Sequence, residues 1–384
     1  MRRTISLLIL MLLLVSGCSS SSASTISSTP TTASTPLPTS NIPGLHLPSG
    51  FQISVYASGL NTPRFMTIGP NGVLLVANRA NNSVVALTPG SSPLQAAKST
   101  TLISNLHDPS SLDMHDGYLY IGEQISIARV KLGDDLKTGP VERNITDLPE
   151  GGQLTTRTVL IGSDNHIYVA IGSSCNVCQE DDPHRAAIWI YNMDGSSGRL
   201  FAKGLRNAVG LANNPWTSQV WATNNGRDYL GDNIPPETVY ALVNGGDFGW
   251  PRCHAGTITD PDFGNANSCQ GIQQPLVKMQ AHSAPLGLGF YPPNEKQFPT
   301  AYQSSLYIAF HGSWNRSMPT GYKVVRVPLK DGKVAGPPED FITGWLQDNG
   351  SSTGRPVGIT FAPDGTLFVS DDTHGVIYHI WYRG

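Results

Sequence analysis

One local pattern recurs six times along the chain: a tight turn followed at once by a short apolar run. Pro70-Asn71-Gly72 leads into Val73 to Ala77, and Asp116-Gly117 into Tyr118 to Ile121. Asp164-Asn165 precedes Ile167 to Ile171, and Asn214-Pro215 precedes Gln219 to Thr223. Gln303-Ser304 precedes Leu306 to Phe310, and Pro363-Asp364-Gly365 precedes Leu367 to Ser370. Most units continue, after a polar gap, into a second alternating run such as Val84 to Leu87, Ile188 to Tyr191 or Val376 to His379. Leu75, Tyr120, Tyr168, Trp221, Tyr307 and Phe368 mark the repeat, at steps of about 45 to 60 residues with one long step of about 86. One such unit is the length of a four-stranded blade, so the pattern predicts an all-β, six-bladed β-propeller over residues 44–384. No stretch longer than about twelve residues has helical periodicity, which disfavours a doubly wound α/β fold. The 40 glycines and 29 prolines agree, since they interrupt the chain too often for a helical bundle. Phe51 to Val55 alternates cleanly and is expected to pair with Val376 to Tyr382, closing the ring and removing its edges.

The first 43 residues do not belong to this pattern. Arg2 and Arg3 precede an apolar run from Leu7 to Val15, too short to span a bilayer, which ends in Leu14-Val15-Ser16-Gly17-Cys18. That ending resembles a bacterial lipobox and implies a signal peptide over residues 1–18 with Cys18 lipidated; the alternative is an ordinary signal peptide with an incidental Cys. Residues 19–43 are mostly Ser, Thr, Pro and Ala, without periodicity, and read as a disordered tether. The expected location is outside the cytoplasm, attached to a membrane by lipid alone. If so, Cys18→Ala moves the protein from the membrane pellet to the soluble fraction; unchanged partitioning would place the anchor elsewhere.

An exported chain favours disulfides for the four remaining cysteines, Cys175 with Cys178 and Cys253 with Cys269. A four-thiolate zinc site is the competing reading. A c-type haem is excluded, because the residue after Cys178 is Gln179 and not His. Nucleic acid is also excluded as a partner: 25 Lys and Arg against 28 Asp and Glu leave a net charge of −3, with no basic surplus for phosphates.

Propellers gather their loops at the mouth of a central channel, and five loops here carry an arginine: Arg157, Arg206, Arg227, Arg316 and Arg355. Each by itself reads as a solvated charge. Together they are expected to converge on a multiply anionic ligand, because the guanidinium fork matches carboxylates.

Several of these loops carry a resemblance. Leu205-Arg206-Asn207 with Gly210-Leu211, Asn225-Gly226-Arg227-Asp228, Gly246 to Pro251, His311 to Arg316 with Gly321 to Arg326, and Gly354 to Gly358 are similar to the soluble glucose/sorbosone dehydrogenases, from about Leu47 to the C-terminus. These are six-bladed propellers that use pyrroloquinoline quinone (PQQ), a tricarboxylate with an ortho-quinone, and calcium. The resemblance implies a sugar or sugar-derived aldehyde as substrate, hydride transfer to the quinone and an external acceptor, a quinone or cytochrome. It places Arg157, Arg206, Asn207, Arg227, Asn315, Arg316 and Arg355 around PQQ, and the Gly226 and Arg227 carbonyls on calcium. The family's catalytic base is a His shortly before the Arg matching Arg157, where this chain has Gln153-Leu154-Thr155-Thr156. Neither Gln nor Leu takes a proton at neutral pH, so either His282 or His311 serves by default or turnover is weak or absent. The rival functions are a PQQ- or sugar-binding propeller without efficient turnover, a calcium-dependent lactonase-type hydrolase, and a noncatalytic adhesion propeller.

Overall fold

A computed structural model describes residues 42–90 and 95–384; the expected signal peptide, Cys18 and nearly all of the expected tether lie outside the described residues. Six antiparallel sheets succeed one another along the chain. The first blade is Pro63–Ile68, Leu74–Asn78, Ser83–Pro89 and Ala96–Ile103; the second is Ser111–His115, Tyr118–Gly122, Ile127–Lys131 and Glu142–Ile145. The third is Arg157–Ile161, Ile167–Ile171, Ala187–Tyr191 and Arg199–Lys203, with Gly246–Asp247 added in parallel at its outer edge. The fourth is Ala208–Asn213, Val220–Asn224, Glu237–Ala241 and Val277–Met279. The fifth is Pro285–Phe290, Ser305–Phe310, Lys323–Lys330 and Glu339–Ile342, with the short Lys333–Val334 pairing beside it. The sixth is Pro356–Phe361, Leu367–Asp371 and Val376–Tyr382, completed by the N-terminal strand Phe51–Ala57.

All six marker residues sit on the second strand of their blades. The long step is an insertion in the fourth blade, between its third and fourth strands, holding the hairpin Cys253–His254 with Ile258–Thr259 and the Cys253–Cys269 disulfide. Second strands such as Leu74–Asn78, Ile167–Ile171 and Leu367–Asp371 are buried at every residue. Neighbouring blades cover both faces of the sheet, which is why these runs are almost continuously apolar.

Hydroxyl groups stitch blade to blade by donating to main-chain carbonyls on the first strand of the next blade. Ser110 reaches Arg157 O (2.8 Å), Thr158 reaches Val209 O (2.6 Å), Thr223 reaches Leu286 O (2.7 Å) and Ser370 reaches Arg64 O (2.6 Å). Backbones here approach so closely that a Cβ on Gly210 would lie 2.3 Å from Leu286 O. Only glycine fits there.

The ring closes by the expected pairing, with Phe51 opposite Tyr382 and Ile53 opposite Ile380. Phe51 is buried and meets Phe298, Tyr302, Phe341 and Tyr382 edge-on at 4.8–5.1 Å, so the closing strand is fastened by an aromatic cluster as well as by its hydrogen bonds. Phe51→Ala is expected to destabilise the protein by about 3–5 kcal/mol, read as a lower denaturant midpoint. A loss below about 1 kcal/mol would show that closure does not depend on this ring.

Candidate functional site

A cavity of about 320 Å³ opens among the loops of the third, fourth and fifth blades. Its walls include Gln153, Leu154, Asn176, Arg206, Asn207 and Asn225, together with Gly226, Asp228, Tyr229, Glu237, His282, Ala284, Trp314 and Asn315. Three of these, Tyr229, His282 and Ala284, have left-handed backbones with φ of +67°, +65° and +53°. Non-glycine residues adopt that conformation at a cost, and such strain concentrates at functional sites.

Arg206 stands on the turn into the first strand of the fourth blade and is buried. Its Nε donates to Asn176 O (3.0 Å), Nη1 to Gly226 O (2.6 Å) and Nη2 to Asp228 Oδ2 (2.8 Å). A guanidinium carries five N–H groups, so one remains on each Nη without a partner among the described residues. Burial lowers its pKa somewhat and Asp228 opposes that, leaving a firm cation at neutral pH. Asn207 donates to Asn225 Oδ1 (3.0 Å), and Asn225 in turn to Pro285 O (2.7 Å).

Asn315 is different in kind. Both atoms of its side-chain amide are shielded from solvent and neither has a hydrogen-bond partner in the protein. An unsatisfied buried polar group costs about 1–3 kcal/mol, and a ligand that supplies the partner removes that cost. Beside it Trp314, 65% exposed, meets Tyr229, 68% exposed, edge-to-face at 5.6 Å, an aromatic platform at the rim.

Glu237 begins the third strand of the fourth blade and was not singled out in the sequence, where it reads as an ordinary polar residue at a strand start. Its carboxyl is buried, and Gly226 N donates to Oε2 at 2.6 Å. Burial, only partly offset by that bond and by Arg206, raises its pKa from 4.5 to about 7. It exchanges a proton near neutrality.

Four arginines do not converge as expected, and each has a local reason. Arg157 is fully buried and spends its guanidinium on the carbonyls of Leu154, Thr156 and Pro149, bracing the Gln153–Leu154 wall from behind. Arg227 turns into the insertion and pairs with Asp260 and, at 2.7 Å, with Asp262. Arg316 donates to Met318 O (3.0 Å) in its own loop and to Ala281 O (3.3 Å) in the segment before the fifth blade. Arg355 caps His311 O and Gly312 O, both at 3.0 Å, and lies over the Tyr322 ring.

The two histidines are likewise committed. His311 Nε2 faces Asp372 at 2.9 Å, and Asp372 is also bound by Arg64 at 2.6 Å; none of the three lines the cavity. Burial lowers the His311 pKa. His282 does line the cavity, but its Nε2 donates to Gly231 O (2.8 Å) and its Nδ1 lies 3.7 Å from Asp228 Oδ1. The Asp228 carboxylate, opposed by burial, raises its pKa. His311 thus stands away from the cavity, and His282, within it, is tied to Gly231 O and faces Asp228.

The four cysteines are joined as expected, Cys175 to Cys178 and Cys253 to Cys269. Thiolates for zinc are therefore not available from them.

These loops can be compared with known proteins. A family model described as TrAA12-like matches residues 45–383. The chain belongs to the TrAA12-like family. A protein of Borreliella burgdorferi described as uncharacterized is 28% identical over 360 residues, covering 88% of this chain and 91% of that one. The pyrroloquinoline quinone-dependent pyranose dehydrogenase of Coprinopsis cinerea is 26% identical over 408 residues, 88% of this chain; the chain spans about half (54%) of that relative. The pyrroloquinoline quinone-dependent sugar dehydrogenase of Hypocrea jecorina is 25% identical over 392 residues, 86% of this chain and 87% of that one. Among solved structures, the holo form of the C. cinerea pyranose dehydrogenase PQQ domain superposes with a TM-score of 0.78, at 23% identity, over 90% of this chain and 99% of that one. The PQQ-bound aldose sugar dehydrogenase of Streptomyces coelicolor superposes at 0.63 and 18% identity, over 87% and 99%. This TrAA12-like chain thus has relatives that are PQQ-dependent sugar dehydrogenases and shares their propeller.

Proposed function

We propose that this TrAA12-like propeller is a PQQ-dependent dehydrogenase oxidising a sugar or sugar-derived aldehyde at the cavity between its third, fourth and fifth blades. The observation that carries the reading is Asn315, an amide with both atoms unpartnered on the wall of a cavity that also holds a buried arginine. A planar tricarboxylate suits that donor set. Arg206, with its two remaining N–H groups, would meet a carboxylate, and the amides of Asn207, Asn225 and Asn315 would meet carboxylate and quinone oxygens. PQQ, when bound, supplies the hydride-accepting quinone, which the protein's own side chains lack.

The chain's residues supply the rest. Trp314 and Tyr229 offer apolar faces against which a sugar ring packs at the mouth. Glu237, with a pKa near 7, takes the proton from the sugar hydroxyl as its carbon is oxidised, the role the sequence reading gave to a histidine. The electrons then leave to an external quinone or cytochrome.

Calcium does not fit the arrangement as it stands. Its ligands would be oxygens at 2.3–2.6 Å. The Gly226 carbonyl expected to bind it already accepts from the Arg206 cation at 2.6 Å, and an ion on that oxygen would sit against a guanidinium.

Adding PQQ to the purified protein, with and without calcium, and screening aldoses with an artificial electron acceptor tests the proposal. The expected result is a bound-quinone absorbance that bleaches on adding the right sugar. No PQQ uptake under either condition would overturn it. One observation favours the hydrolase alternative: the cavity presents one arginine among asparagines and two carboxylates, a wall richer in oxygen donors than five arginines would make. Calcium-dependent lactone hydrolysis without PQQ would establish that reading instead.

A further inference from the structure

Between the second and third strands of the third blade, residues 172–186 run without strand or helix. Loops of that length without regular structure are uncommon unless they serve a site. This one contains the Cys175–Cys178 disulfide, and between the two cysteines stands Asn176, a cavity residue. Asn176 makes four hydrogen bonds to parts of the chain far from it in sequence. Its main-chain oxygen accepts from Arg206 Nε (3.0 Å) and from Trp250 Nε1 (3.3 Å). Its side-chain amide closes a reciprocal pair with the Asp228 backbone, Nδ2 to Asp228 O at 3.1 Å and Asp228 N to Oδ1 at 2.8 Å.

The flanks of the loop are anchored independently. Ser173 Oγ donates to Cys175 O (2.6 Å), and Ser174 donates through N and Oγ to Glu180 (2.7 and 2.8 Å). Between those anchors the covalent tie across Asn176 is the disulfide. We propose that the Cys175–Cys178 disulfide holds Asn176 in place, and through it Arg206 and Asp228, so that the cavity is set for its ligand only while the disulfide is formed. Asn176 is then a positioning residue, and the site responds to redox state. Both cysteines are half-buried, within reach of a small dithiol. Reduction by such a dithiol breaks the S–S bond and leaves two thiols on the protein; the dithiol's two hydrogen atoms pass to those sulfurs and it becomes a disulfide itself. The four-residue ring opens, and Asn176 keeps its bonds only as one conformation among several.

The proposal rests on the PQQ reading for its ligand, so its test has one readout with PQQ and one without. PQQ affinity and the Trp250 contribution to fluorescence, isolated by difference from Trp250→Phe, are measured in the oxidised protein, in protein reduced with dithiothreitol and then freed of it without air, and in Cys175→Ser/Cys178→Ser. Reduction is expected to weaken PQQ about tenfold, the effect of loosening one charge-assisted hydrogen bond. The Trp250 emission shifts as its indole N–H loses Asn176 O. The double variant reproduces both changes and no longer responds to dithiothreitol, which sets aside any effect of the second disulfide. Asn176→Ala matches it in PQQ affinity. Identical affinity and identical Trp250 emission in oxidised and reduced protein overturn the proposal. If the emission responds while the oxidised protein takes up no PQQ, the positioning device stands and the PQQ reading fails.

Discussion

Glu237→Gln is expected to lower kcat of the PQQ-loaded protein by about 10²–10⁴-fold while raising its stability above pH 7. Glutamine keeps the acceptor for Gly226 N and the size of the side chain but cannot take a proton. In the wild type the carboxyl, raised by burial to about 7, serves as base only when ionised, so kcat/KM should rise through pH 7 to a plateau. The stability effect has the opposite sign. A carboxyl whose pKa is higher folded than unfolded stabilises the fold fully below about pH 4.5, and that stabilisation is lost as pH rises through 7, on the order of 3 kcal/mol in total. The variant, neutral throughout, does not lose it. Asp113, a half-buried carboxyl raised by desolvation to about 6, titrates in both proteins and cancels in the comparison. Melting temperature against pH should therefore diverge between the two above neutrality. Turnover within a few-fold of wild type, with the acid limb unmoved, would place the base on another residue.

Arg206→Ala should weaken PQQ by about ten- to hundredfold, the loss of one charge-assisted contact in a buried setting. Arg227→Ala separates binding from folding. Its guanidinium holds Asp260, which is fully shielded and also faces His254 at 2.7 Å, so its removal leaves a buried carboxylate short of its partner. Breaking such a pair costs about 3–5 kcal/mol of stability. The expected pattern is a large loss of PQQ affinity with modest destabilisation for Arg206, and the reverse for Arg227. Equal effects of the two on PQQ titration would mean that the arginines do converge and that Arg206 is misidentified as the cavity's arginine.

The propeller was legible because it is written in local terms. A Pro-Asn-Gly or Asp-Gly turn followed by an apolar run needs no distant information, and its sixfold recurrence at Leu75, Tyr120, Tyr168, Trp221, Tyr307 and Phe368 counts the blades directly. The ring closure was readable for the same reason, since the alternation at Phe51 fixes which face is buried and so which strand can accept it. The site was legible only in its backbone. Arg206, Asn207, Gly226, His282 and Asn315 do share a cavity, because their motifs stand at strand ends of neighbouring blades.

What the side chains do there was decided by tertiary structure. An arginine in a loop binds whatever acceptor the fold brings near it: Arg157 and Arg355 found carbonyls, Arg227 found two carboxylates of an insertion, and only Arg206 kept donors at the cavity. Spacing alone does not single out which of these acceptors each arginine takes. Glu237 shows the same limit from the other side. Nothing in Pro236-Glu237-Thr238 distinguishes it from a solvent-facing strand residue, and its proton affinity comes from the desolvation that the assembled fourth blade imposes. The sequence by itself determined the strands, their order and the closure of the ring, since turn chemistry and apolar patterning act over a few residues. The tertiary structure alone decided which charge is spent on the fold and which is left for a ligand, because burial and hydrogen-bond partners exist only once the blades are packed.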